Sequence, residues 1–313
     1  MKWDIRKVNN LFLLVSIMNE LSLLIITLCS LPKVWKAKVI TFLDDPSLDI
    51  SKWARNCLDT FNNNIKFWLI KWMKESFSDK VLDDAFYRAR MIAEKTEKLW
   101  INMINCKEEN FPEWFKKMIS DAPVLLYYKW DISKINKTRS ITVIWSREAD
   151  DEWLKTSFYI WKQLASKWYN IVSWLAIWCD MEAHKWALSV DWFTTAIVWC
   201  WLDSINTNKD LSEEILSKGW VILSEYSIGS KDLSWTLVAR DKLQAWISDT
   251  VIWVQFSRDS WTTHAIMSAI WYDKDLYVVK YKNQGSSKIT SWNAFYLEHS
   301  KAKALTSENI DFI

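Results

Sequence analysis

A chain of 313 residues with 40 Lys and Arg against 38 Asp and Glu carries a net charge of +2. That balance excludes a general electrostatic drive toward nucleic acid, so any such contact rests on a local basic site. Three histidines without ligand spacing and five cysteines without a CxxC pair point away from a zinc centre and toward reduced thiols in a cytoplasmic protein. The length suits one medium domain plus a smaller one. One count is out of proportion, with 25 Trp beside 3 Gly. Ordinary usage supplies about 7% glycine, and a fold with many turns needs it. Tryptophan stands where glycine is expected, as at Trp145 directly after the apolar run Ser140–Ile144. We read many of these tryptophans as UGA codons that the cell translates as glycine. The two residue types together come to about 9% of the chain, close to ordinary glycine usage.

Residues 1–105 are predicted to form a small all-helical domain of helix-hairpin-helix or SAM-like type. Leu11 to Leu31 is strongly apolar behind Lys2, Arg6 and Lys7, which is the pattern of a signal peptide or a membrane span. Asn19 and Glu20 interrupt it, so two buried helices are expected and no membrane partner. The segment Leu31-Pro32-Lys33-Val34-Trp35-Lys36-Ala37-Lys38-Val39, with Trp35 read as glycine, is similar to a DNA-binding hairpin that offers backbone N–H groups to a phosphate. A tight turn between core helices accounts for it equally well. Lys66 to Lys98 reads as two amphipathic helices.

Residues 106–313 are predicted to form an α/β domain, an extended Rossmann-type parallel sheet with helices on both faces. A connecting stretch over 107–135 is punctuated by Phe111-Pro112 and Asp121-Ala122-Pro123, with a short strand at Val124–Tyr128. Apolar strands follow at Ser140–Ile144, Asn170–Val172, Thr194–Val198, Val221–Leu223, Thr250–Val254 and Leu276–Val279, with helical segments between most of them. In the first such helix Leu154, Phe158, Trp161, Leu164 and Ala165 share a face. Alternation of this kind implies a parallel sheet covered on both sides, with ligands bound just beyond the carboxyl ends of the strands.

The loops after those strands carry the motifs. Trp145-Ser146-Arg147, read as Gly-Ser-Arg, combines close backbone approach, a helix start and a forked guanidinium, which together suit a phosphate. Ser173-Trp174-Leu175-Ala176-Ile177-Trp178-Cys179-Asp180 followed by Ala183-His184-Lys185-Trp186-Ala187-Leu188 reads as S-G-L-A-x-G-x-D-x-x-A-H-x-G-A-L. His184 lies within a helix without a partnering nucleophile motif, so a structural role is expected. Trp199-Cys200-Trp201-Leu202-Asp203 leads to Asn208-Lys209, whose cation suits a second phosphate. Leu223-Ser224-Glu225, Arg240-Asp241-Lys242 and Ser260-Trp261-Thr262-Thr263 complete the set, the last at a helix start where capping is expected.

Read with glycines, these motifs closely resemble those of the DNA-processing protein A (DprA/Smf) family, over about residues 108 to 300. The resemblance implies a protein that binds single-stranded DNA in a basic pocket of a Rossmann domain and forms a homodimer. It also implies loading of the recombinase RecA onto DNA during natural transformation, with no cofactor, metal or catalysis. Carried over by motif, Arg147, Lys209, Ser146, Trp145, Trp174, Asn208 and Arg240 are the expected DNA-binding residues. The chain departs from the family pattern in three places. Asp241 stands for asparagine, the loop before Asn208 is short and lacks Tyr-Pro, and Glu148, Asp150, Asp151 and Glu152 follow Arg147 where Ser or Thr is usual. Two alternatives stay open: a lysine-decarboxylase-like nucleotide phosphoribohydrolase and a nucleotide-sensing module. Against the former, no glutamate follows Ser260-Trp261-Thr262 before Glu298 to act as the acid or base.

Overall fold

The structure is a computed structural model that describes residues 20–46, 77–118, 122–145, 151–175, 179–198, 200–230, 243–255, 262–280, 291–306 and 308–309. The chain divides into two compact units. The first takes in residues 1–111, 115–127 and 227–229, and the second 112–114, 128–226 and 230–313. The expected boundary after residue 105 falls inside the first unit.

In the first unit, residues 20–29 are helical and bury Leu23, Leu24, Ile25, Ile26 and Leu28. No helix among the described residues is long and apolar enough to cross a membrane. A turn leads to α1 (Lys36–Leu43), so the segment read as a hairpin does join two helices. The long α2 (Asp79–Lys98) begins at Ser78, whose hydroxyl accepts from the Val81 N–H at 3.4 Å. Asp79 in its first turn and Lys95 and Lys98 in its last complement the helix dipole. Its buried stripe is Leu82, Ala85, Ala89 and Thr96. The strand β1 (Asn102–Asn105) follows in this unit, whereas the single-turn α3 (Glu113–Lys116) and the strand β2 (Leu125–Lys129) are each divided between the two units. β1 falls at the end of the stretch read as helical, because four residues without alternation give no period to detect.

Among the described residues the second unit contains seven strands: β3 (Ser140–Trp145), β4 (Asn170–Ser173), β5 (Thr194–Val198), β6 (Val221–Ser224), β7 (Thr250–Gln255), β8 (Asp275–Val279) and β9 (Lys303–Leu305). Their order is β6-β5-β4-β3-β7-β8-β9, and each neighbouring pair is parallel. The helices α4 (Asp151–Ala165), α5 (Cys179–Ser189), α6 (Lys209–Ser217), α7 (Thr262–Trp271) and α8 (Ser291–His299) connect them. Alternate residues of the central strands feed two separate cores. Ile141, Val143, Ile252 and Val254 pack with Ile160, Trp161 and Leu164 of α4 and Ala183 and Ala187 of α5. Ile144, Val251 and Trp253 pack with Ala265, Ile266 and Ala269 of α7 and with Tyr296 of α8. The helices therefore cover both faces, as a parallel sheet requires. The six strands expected here all appear within a residue of their predicted ends. β9, a three-residue edge strand, was not foreseen.

A polar seam runs through the buried amino ends of three adjacent strands. The Asn170 amide donates to Ser140 Oγ at 2.9 Å and accepts from Thr195 Oγ1 at 3.0 Å. All three residues are essentially inaccessible to solvent. A fully paired network of this kind favours one register, since a slip by one residue would strand each polar group in an apolar layer.

Candidate nucleic-acid interface

Strand order reverses at β3. From it the chain proceeds through β4, β5 and β6 on one side, and through β7, β8 and β9 on the other. In open α/β sheets the crevice beyond the carboxyl ends at such a switch is where ligands sit. β3 ends with an irregularity between Ile144 and Trp145, which brings Trp145 opposite Gln255 of β7. Trp145 thus lies at the switch itself. Ser146 and Arg147, next along the chain, lie outside the described residues, as does Arg240.

The loop after β4 is held by buried side chains. His184 is wholly buried on α5, with Nε2 2.8 Å from the Trp174 carbonyl and Nδ1 2.7 Å from Thr194 Oγ1. The Trp174 carbonyl only accepts, so Nε2 carries the proton, while Thr194 Oγ1 beside Nδ1 donates to the Ile171 carbonyl at 2.8 Å. Burial pushes the imidazole down to about 4, against the pull of its bond to the Trp174 carbonyl. Both nitrogens are occupied and the ring is neutral, in keeping with the structural role expected for His184. One turn away, Ser173 Oγ donates to the buried Asp180 carboxylate at 3.0 Å.

Asn208 and Lys209 are brought to the same loop. Asn208 adopts φ 51° and ψ 46° at the start of α6, a left-handed conformation that Asn tolerates better than most residues. Its side chain makes no capping bond to the helix and instead donates to the Leu175 carbonyl at 3.0 Å. Lys209 is therefore the first residue of a helix anchored beside Trp174 and Leu175. Its side chain is 69% exposed, with only Glu213, 3.9 Å away, as an ion-pair partner among the described residues. Of the expected binding residues, the structure places Trp145, Trp174, Asn208 and Lys209 at the carboxyl end of the sheet.

Asn293 and Gln244, which were not singled out from sequence, shape this end together with Ser224 of the Leu223-Ser224-Glu225 motif. Asn293 of α8, fully buried, donates through Nδ2 to the Val254 carbonyl at 2.8 Å and the Val279 carbonyl at 2.9 Å, tying the ends of β7 and β8 together. Gln244 donates to the Val172 carbonyl at 3.2 Å. Ser224 donates to the Cys200 carbonyl at 2.8 Å and accepts from the Tyr226 N–H at 3.0 Å. The available signal was a lone amide inside an apolar segment. Asn293→Leu removes two buried hydrogen bonds, and it is expected to cost about 2–3 kcal/mol in urea unfolding. A loss under about 0.5 kcal/mol would show that the clamp is not structural. Among the described residues, no group of three or more His, Cys, Asp or Glu side chains is placed to hold a metal.

A parallel sheet that runs to both sides of β3 with helices on both faces defines a Rossmann-type fold. The chain belongs to the DNA recombination-mediator protein A family, whose model matches residues 102–309. It is similar to DNA processing protein DprA of Bacillus subtilis (strain 168), 24% identical over 248 residues that cover 79% of this chain and 77% of that protein. It is similar also to DNA processing protein DprA of Streptococcus pneumoniae (strain ATCC BAA-255 / R6), 31% identical over 141 residues that cover 44% of this chain and 49% of that one. The X-ray structure of DNA processing protein A from Streptococcus pneumoniae matches with a TM-score of 0.71 at 20% identity, covering 93% of this chain and 96% of that one. DNA processing protein A from Helicobacter pylori, whose structure concerns its single-stranded DNA binding mode, matches with a TM-score of 0.56 at 24% identity, covering 68% and 94%. At these identities the two structures speak for the fold.

Proposed function

We propose that the chain binds single-stranded DNA along the carboxyl end of the second unit's sheet. It protects the strand and passes it to the recombinase RecA in natural transformation and recombination, as a cytoplasmic homodimer and without catalysing a reaction. The observation that carries the binding site is the anchoring of Asn208 on the Leu175 carbonyl. This sets the exposed cation of Lys209 and the uncapped start of α6 beside the loop after β4. A helix start and a lysine together form an anion site. Family membership supports the choice of a nucleic-acid phosphate as the anion, and Arg147 and Ser146 follow Trp145 in sequence at the switch point. Contacts to phosphate carry no base information, so binding is sequence-tolerant and weakened by salt.

Fluorescence anisotropy with labelled oligo-dT tests this. Affinity should fall steeply between about 50 mM and about 200 mM salt, with little difference between oligo-dT and mixed sequences. Salt-independent binding, or release of free base from a nucleoside monophosphate, would overturn the reading in favour of a nucleotide enzyme.

A further inference from the structure

Four helix ends among the described residues close with the same pair of backbone bonds, a turn that requires its pivot residue to be left-handed. After α5, the Asp191 N–H bonds to the Leu188 carbonyl at 3.0 Å and the Trp192 N–H to the Ala187 carbonyl at 2.9 Å. After α6, Gly219 and Trp220 bond to Leu216 and Ile215 at 3.0 and 3.1 Å. After α7, Asp273 and Lys274 bond to Ile270 and Ala269 at 3.2 and 2.9 Å. After α2, Trp100 and Ile101 bond to Glu97 and Thr96, each at 3.0 Å. The pivots are Asp191, Gly219, Asp273 and Trp100, with φ of 52°, 79°, 49° and 54°. Glycine is the usual pivot, and a short polar residue such as Asp is tolerated. A large aromatic is not, because its Cβ crowds the following carbonyl.

Trp100 is not alone. Trp168, three residues past the end of α4, has φ 66°, and Trp130, directly after β2, has φ 81°. These three indoles are 89%, 61% and 55% exposed, so little burial offsets the strain. Elsewhere, the buried indole N–H groups of Trp192, Trp220 and Trp246 have no hydrogen-bond acceptor among the described residues. Native interiors rarely leave such donors unmet.

We infer that positions 100, 130 and 168 are glycine in the protein as its own cell makes it, encoded by UGA codons that a tryptophan-reading translation renders as Trp. The backbone carries this inference, independently of any reading of the ligand. The same substitution at Trp174 would let a phosphate approach the main chain of the loop after β4.

Peptides covering the three positions, isolated from the source cell and read by mass spectrometry, decide the matter. Glycine at 100, 130 and 168 is the expected result. Tryptophan at these positions, or a UGG codon at any of them, overturns the inference. A second measurement uses the recombinant chain with tryptophan in place. Each of Trp100→Gly, Trp130→Gly and Trp168→Gly should shift the folding equilibrium toward the native state by roughly five- to thirtyfold, read from denaturant unfolding. No gain, or a loss, at all three would count against it.

Discussion

Reversing the charge at Lys209 or Arg147 is expected to lower affinity for oligo-dT by about a hundredfold, while the protein stays folded. A charge-assisted bond to phosphate contributes roughly 1.5–3 kcal/mol, and a carboxylate in its place adds repulsion. The prediction separates binding from stability because of where Lys209 sits. Its side chain is mostly exposed and faces Glu213 at 3.9 Å, an exposed i,i+4 pair whose loss costs a few tenths of a kcal/mol at most. Glutamate at the first position of α6 gains from the helix dipole, which offsets that loss. Anisotropy should therefore show weakened binding with an unchanged unfolding midpoint. For Lys209→Gln, the slope of log affinity against log salt should fall by about 0.7, the value for one phosphate contact on a single strand. Wild-type affinity in both Lys209→Glu and Arg147→Glu would refute the site.

Acid sensitivity centred on His184 is the second large effect. In the unfolded chain this imidazole takes up a proton near 6.5, but in the folded protein burial holds protonation off until about 4. Between those values the unfolded state binds more protons, so acidification favours it. The contribution is fully present above pH 6.5 and is lost as the pH falls toward 4, at about 1.4 kcal/mol per pH unit and about 3 kcal/mol in all. His184→Gln does not titrate, and its amide can donate to the Trp174 carbonyl. Urea midpoints measured at pH 7 and pH 4.5 should converge for this variant relative to the wild type. Equal pH dependence in the two proteins would show that His184 does not control acid stability.

Much of this fold could be read from residue patterns, for reasons that also explain the gaps. The central strands are buried on both faces, and short β-branched runs such as Ile141 to Ile144 announce them. β1 and β9 are too short for any period to emerge. In the candidate site, Asn208 and Lys209 were expected from the motif that follows Thr194–Val198, and the position of that loop after β5 is local information. Asn293 was not, because its partners Val254 and Val279 lie on strands remote in sequence, and no spacing rule connects an amide to carbonyls it meets only after the sheet is assembled. The conformation around Asn208 was likewise hidden. Left-handed backbone at a helix start runs against the usual capping role of Asn, and it becomes intelligible only once the Leu175 carbonyl stands opposite.

The central place of β3 also has a consequence for biosynthesis. Ile141 pairs with Ile171 on one side and with Thr250 on the other. As the chain leaves the ribosome, the half-sheet from β3 to β6 can assemble while the other edge of β3 still waits for β7. During that interval the nascent protein displays an unpaired, apolar strand edge, which is a template for misassociation. Synthesis that stalls between residues 224 and 250 should therefore yield aggregation-prone fragments, whereas release after β7 has emerged closes the exposed edge.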